Sequence, residues 1–212
     1  MIITRNEIEQ FDKIKRLNIV NSITGFKPAN LIGTISDAGI PNLTIISSVL
    51  HLSSSPAMIG FMQRPTTVPR HTYKNIKENG NFTINHVHTG ILPQAHYTSA
   101  KFPEEISEFD ASGLHEEYID GFDAPFVKES RIKIGLRMEE EYHIKASNTI
   151  LIVGQVEMII LPDEVLTENG QVKLEDAATA VISGLNNYYE TTFLSSFPYA
   201  RPGNMENILK NT

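Results

Sequence analysis

The sequence contains no cysteine, which removes a disulfide framework, a thiolate nucleophile and any cysteine-ligated zinc or iron–sulfur centre. Basic residues are in deficit: 18 Lys and Arg stand against 25 Asp and Glu, a net charge of −7. Nothing in that balance supports neutralising a nucleic-acid backbone, so no nucleic-acid partner is expected. Long apolar runs are missing as well. The longest, Ile150 to Leu161, is interrupted by Gly154, Gln155 and Glu157 and falls short of the roughly 20 residues a membrane-spanning helix needs; a buried strand is expected instead. The N-terminus, MIITRNEIEQFDKIKR, has early acidic residues and no apolar leader core, so the expected location is cytoplasmic. Glycines are sparse in a telling way. The nearest pair, Gly33 and Gly39, is six apart, which excludes the GxGxxG fingerprint, the GxxxxGK[ST] phosphate loop and the GxSxG nucleophile turn. The His115-Glu116 step lacks the second histidine of a zinc-protease motif.

What is present is a chain of 212 residues, 41% hydrophobic and 20% charged, consistent with one globular domain over 1–212 and no internal repeat. Ile8, Phe11 and Ile14 recur near the helical period, predicting an amphipathic helix over Asn6 to Leu17. A short strand is expected over Asn21 to Lys27, another over Ala29 to Ser36 closed by Asp37-Ala38-Gly39, and a third from Asn42 to Val49 pairing antiparallel with it. Ser53 to Pro56 reads as a turn and Ala57 to Met62 as an apolar strand. Thr72 can cap a helix from Tyr73 to Asn79, with Gly80 just past its end. Phe82 and Ile84 alternate with Thr83 and Asn85, the pattern of a half-buried strand. Gly90 to Gly121 reads as an excursion with short helical pieces. Arg131 to Met138 places Ile132, Ile134, Leu136 and Met138 on one face and Arg131, Lys133 and Arg137 on the other; Leu174 to Leu185 looks helical. Many short strands with few helices predict a mainly β barrel.

Two features point to a ligand. Thr44, Ser47 and Ser48 put hydroxyls on or just after a strand, and Arg64, Arg70, His71 and Thr72 gather positive charge and a hydroxyl before a helix start, where backbone N–H groups favour an anion. A flat, edge-polar ring joined to a phosphate would suit both. His86 and His88, two apart on a strand, share a face, but spacing supplies no further ligand and no metal site is assigned. Glu139 to Glu141 reads as a solvated run, and Tyr188, Tyr189 and Tyr199 as packing residues.

Several collinear stretches then resemble the flavin reductase-like, FMN-binding split-barrel family. ANLIGTISDAGIPNLTIISSVLHLSSSPAMIGF is similar to its strand, glycine turn, Asn-led strand and serine turn; PRHTYKNIKENGNFTIN to its helix and following strand; LIVGQVEMI to its late core strand; YARPG to the tail of some members. The resemblance implies a Greek-key split β-barrel with short peripheral helices, a homodimer, and FMN near the subunit interface. It implies that the ring lies against Asn42, Thr44, Ile46, Ser47 and Ser48, meeting mostly backbone. The phosphate would be held at Ser47, Ser48, Arg70, His71 and Thr72, with Asn85 and Arg64 at the rim. The implied activity is hydride transfer from NAD(P)H through FMN to a small acceptor; because the cofactor carries that chemistry, no catalytic residue is named. A non-catalytic flavin- or haem-binding barrel stays open at this point.

Overall fold

A computed structural model describes residues 1–203 and 205. The expected N-terminal helix is two: α1 (Arg5–Gln10) and α2 (Lys13–Ser22). Thr4 and Glu7 form a reciprocal capping box on α1, and Asp12 starts α2 by accepting the Ile14 and Lys15 amides at 2.9 and 3.0 Å. This second cap carries the helix through Asn21 and Ser22, so the strand expected over Asn21 to Lys27 does not form. Only β1 (Lys27–Pro28) remains of it.

The body is a seven-stranded antiparallel sheet. In chain order its strands are β2 (Asn30–Ile35), β3 (Pro41–Ile46), β4 (Val49–Ser54), β5 (Ala57–Gln63) and, after helix α3 (His71–Asn79), β6 (Asn81–His86). Helices α4 (Leu92–Tyr97) and α5 (Glu108–Ser112) and a hairpin of β7 (Glu116–Ile119) and β8 (Phe122–Val127) intervene before the long strands β9 (Lys133–Ile144) and β10 (Thr149–Ile160). The spatial order is β3-β2-β6-β9-β10-β5-β4. Its two edges, β3 and β4, are joined by Ser47 and Ser48 alone, so the sheet must curl until its edges meet there. That is a split barrel.

Two apolar cores occupy the two faces of the curled sheet. Ile32, Phe61, Phe82, Ile84, Ile134, Leu136 and Ile152 fill one with Ile76 of α3; Leu31, Leu43 and Val87 meet Ala95, Phe109 and Val127 on the other. β6 is therefore covered on both faces, not half-buried. Thr83 and Asn85 point under β8, where Thr83 Oγ1 donates to the Pro125 carbonyl at 2.7 Å. The same hairpin covers the start of β9, so Lys133 is buried and paired with Glu117 rather than solvated like Arg137.

The helix expected over Leu174 to Leu185 is absent. Its backbone is claimed by strand pairing: Ala180 N–H donates to the Val87 carbonyl at 2.8 Å, and β11 (Val181–Ser183) joins β1 and β12 (Asn187–Tyr189) in a small sheet. Tyr188 and Tyr189 pack there, Tyr188 Oη lying 2.9 Å from His96 Nδ1 and Tyr189 edge-on to Phe26. Glu141 is not simply solvated either; Tyr73 Oη and Lys77 Nζ reach it at 3.1 and 3.2 Å.

Candidate functional site

The barrel's split edge, the loop after β5 and the start of α3 converge. Ser48 Oγ accepts the Met62 amide at 3.2 Å and donates to the Met62 carbonyl at 3.1 Å, so its hydroxyl acts as a rung tying the corner to β5. Of the two serines, Ser47 alone has a hydroxyl outside that ladder, half-buried at the corner. Thr44 and Ile46 are also half-buried on β3; Ile46 packs on the barrel core beside Val49.

Two residues beyond Met62 the chain presents Arg64, and it returns at Arg70 to open α3. Arg70 Nε donates to the Pro65 carbonyl at 3.2 Å, closing the loop on itself. The two guanidiniums lie near enough that Arg70's affinity for its proton is lowered, first by burial and then by the charge of Arg64. Among the described residues neither arginine pairs with an acid. Arg70 occupies the N-cap position of α3 without a side-chain bond to the helix N–H groups, so the positive end of the helix opens beside two like charges. Such a grouping is electrostatically unfavourable until an anion joins it.

Thr72 is not the cap. It sits inside the first turn, buried, and its Oγ1 accepts the Asn42 side-chain amide at 3.0 Å, clamping α3 to β3. On α3, the Lys74 ammonium bonds the Glu104 carboxylate and holds its pKa below the usual carboxylate range. Glu108 is a residue the sequence did not single out. Its carboxylate accepts the Leu43 N–H at 3.0 Å, satisfying a donor on edge strand β3, and burial raises its pKa against that bond. Only the Ser107 cap before a helical stretch hinted at this segment's order.

Asn85 is interior rather than rim. It is fully buried; Nδ2 donates to Thr83 Oγ1 at 2.8 Å and to the Leu31 carbonyl at 3.3 Å, and Oδ1 accepts the Val127 N–H at 3.0 Å. These bonds engage both ends of its amide in bracing β8 against the sheet. The histidines part company where β6 ends. Burial depresses His86 to a pKa of about 4. His88 Nδ1 accepts the Gly90 N–H at 3.1 Å, which leaves Nε2 as donor to the Glu129 carbonyl at 3.1 Å. Among the described residues no group of three or more histidine, aspartate or glutamate side chains is placed to hold a metal.

Residues 26–178 match the model of the flavin reductase like domain, a span that holds all seven strands of the main sheet. The chain belongs to the flavin reductase-like family. A protein of Shewanella frigidimarina NCIMB 400 with a flavin reductase split barrel domain superposes on this flavin reductase-like chain with a TM-score of 0.91 at 41% identity, covering 94% of this chain and 100% of that one. Flavoredoxin of Desulfovibrio vulgaris (Miyazaki F) shares the fold at a TM-score of 0.71 and 22% identity, over 82% of this chain and 92% of its own. An FMN-binding protein from Thermus thermophilus does so at 0.66 and 16%, over 80% and 90%. The last two show the shared fold alone.

Proposed function

We propose that this protein is an FMN-dependent oxidoreductase that works as a homodimer, takes hydride from NADH or NADPH and passes electrons to a small acceptor. The observation that carries the reading is the proximity of Arg64 and Arg70 at an open helix N-terminus, one corner away from the half-buried end of β3. The residues present fit the group. A phosphate would meet the two guanidiniums and the first N–H groups of α3, while the ring would lie along Thr44 to Ser47, where Ser47 keeps a hydroxyl outside the strand ladder. Thr72 and Asn42 act one layer behind, fixing α3 against β3, and Glu108 of α5 braces β3 at the Leu43 N–H. When bound, FMN supplies the redox chemistry, accepting hydride and releasing electrons. The chain's own part is to hold and orient, so no side chain is assigned as acid, base or nucleophile.

The test is the visible absorption spectrum of the purified protein, followed by identification of the released chromophore and assay of NADH and NADPH oxidation with added acceptors. A flavin spectrum, FMN in the released fraction and acceptor-dependent oxidation are expected. A protein that is colourless and does not take up added FMN overturns the site; FMN binding without turnover leaves a carrier in place of an enzyme.

A further inference from the structure

Asparagine followed by glycine occurs twice in the chain, at Asn79-Gly80 and at Asn169-Gly170. The step matters chemically. Glycine has no Cβ to crowd its own nitrogen, so that nitrogen can approach the side-chain carbonyl of the preceding asparagine and close a five-membered ring. Whether it does so depends on what holds the two amides.

At Asn79 both are held. Asn79 is the last residue of α3; the Gly80 N–H donates to the Ile76 carbonyl at 2.8 Å and Asn79 Nδ2 donates to the Ile35 carbonyl at 2.8 Å. Ring closure there would break the helix end and its tie to β2 together. Asn169 stands instead in an exposed turn, inside the bridge that pairs Leu166 with Val172. Among the described residues its Nδ2, the group that would leave, donates to nothing. Its Oδ1 is engaged: the Thr167 hydroxyl, shared with the Gln171 carbonyl at 2.9 Å, lies 2.5 Å away, and the Gln171 N–H lies at 3.4 Å. These donors sit on the oxygen where negative charge gathers when the side-chain carbonyl is attacked, which is where a hydrogen bond lowers the barrier. The bond that has to open is that of the Gly170 N–H to the Thr167 carbonyl at 2.9 Å, and an exposed turn opens locally at small cost.

We propose that Asn169 is a self-modification site, converting through a cyclic imide to aspartate and isoaspartate while Asn79 stays intact. The Gly170 nitrogen gives up its proton and bonds Asn169 Cγ; the Cγ–Nδ2 bond breaks, and Nδ2 leaves as ammonia with that proton. Water then opens the imide at either carbonyl. A water enters, an ammonia leaves, and nothing is oxidised or reduced. The product carries a new carboxylate beside Glu168, and the isoaspartate form lengthens the backbone of the turn. Asn169 lies outside the residues assigned to FMN, so conversion leaves the flavin corner untouched.

Peptide masses of the full chain, held folded at mildly alkaline pH and sampled over time, test it. The peptide containing Asn169 is expected to gain the mass of an amide-to-acid change, with isoaspartate present among the products, while the Asn79 peptide gains none. Thr167→Val is expected to slow the conversion several-fold. In urea the fold no longer protects α3, and both peptides are expected to convert. An Asn169 peptide whose mass does not change in the folded chain overturns the site, as does conversion without isoaspartate, which means hydrolysis with no ring. Conversion of Asn79 as fast as Asn169 in the folded chain, an Asn79 peptide that resists in urea as well, or a Thr167→Val chain that converts at the wild-type rate overturns the part assigned to the structure.

Discussion

At the scale of single residues, the charges that lack a counter-ion and the polar groups that lack water decide what can be measured. Arg70 donates to a backbone carbonyl and stands beside Arg64 without an acid between them, so its replacement removes a positive contact and releases the loop closure. Arg70→Ala is expected to weaken FMN binding by roughly ten- to a hundredfold, about 1.5–3 kcal/mol for a charge-assisted bond, as read by quenching of flavin fluorescence. An unchanged dissociation constant would remove the phosphate from this corner. His86 gives a pH signature that is independent of any ligand. Burial lowers its pKa from 6.5 to about 4, so the unfolded chain takes up a proton that the folded chain refuses. Its contribution is intact above pH 6.5 and is lost progressively as pH falls towards 4, by up to about 3 kcal/mol. Urea unfolding at a series of pH values is expected to show that slope, and His86→Gln to flatten it.

At the scale of elements, close approach of backbones explains positions that composition leaves neutral. Gly33 in β2 lies under β8: a Cβ there would come within 2.2 Å of the Pro125 carbonyl oxygen and 2.6 Å of Thr83 Oγ1. Gly33→Ala is therefore expected to lift the β7–β8 hairpin and cost about 1–3 kcal/mol or more, seen as a lowered urea midpoint. A variant as stable as the wild type would mean that β8 is not held against the sheet. Helix α3 is placed by bonds of the same kind. Asn42 to Thr72 and Asn75 to Thr34, at 3.0 and 3.1 Å, join it to β3 and β2, and both pairs are buried. The helix start is thus fixed relative to the split edge by amide–hydroxyl pairs rather than by the threonine cap that the local pattern suggested.

At the scale of the whole molecule, a ligand that binds the folded chain must stabilise all of it. FMN at about a hundred times its dissociation constant is expected to add about 2.7 kcal/mol, a rise of several degrees in melting temperature for a chain of this size; an unmoved midpoint at saturating FMN would contradict the site. Local chemistry alone was enough for some features. A nearly continuous apolar run marked the core strand from Ile150 onward, and Gly80 ended α3 with a left-handed φ of 76°, because each depends on neighbours a few residues away. The absence of cysteine and of close glycine pairs likewise settled which motifs could not exist. Other features depended on what lies across the fold. Residues 174–185 have apolar spacing that suits a helix, yet Ala180 bonds the Ala29 N–H and the Val87 carbonyl and the next residues pair with β1 as strand β11. Asn85 alternates like a rim residue until β8 covers it, and Arg64 and Arg70 become neighbours where the loop after β5 closes on itself through Arg70 Nε and the Pro65 carbonyl. Periodicity records which side chains prefer burial, and so the sequence by itself marked core strands such as β2, β5 and β10, while the resemblance of collinear stretches pointed to the family. Which partner satisfies each backbone edge and each buried polar group is a question of long-range contact, and that only the tertiary structure decided.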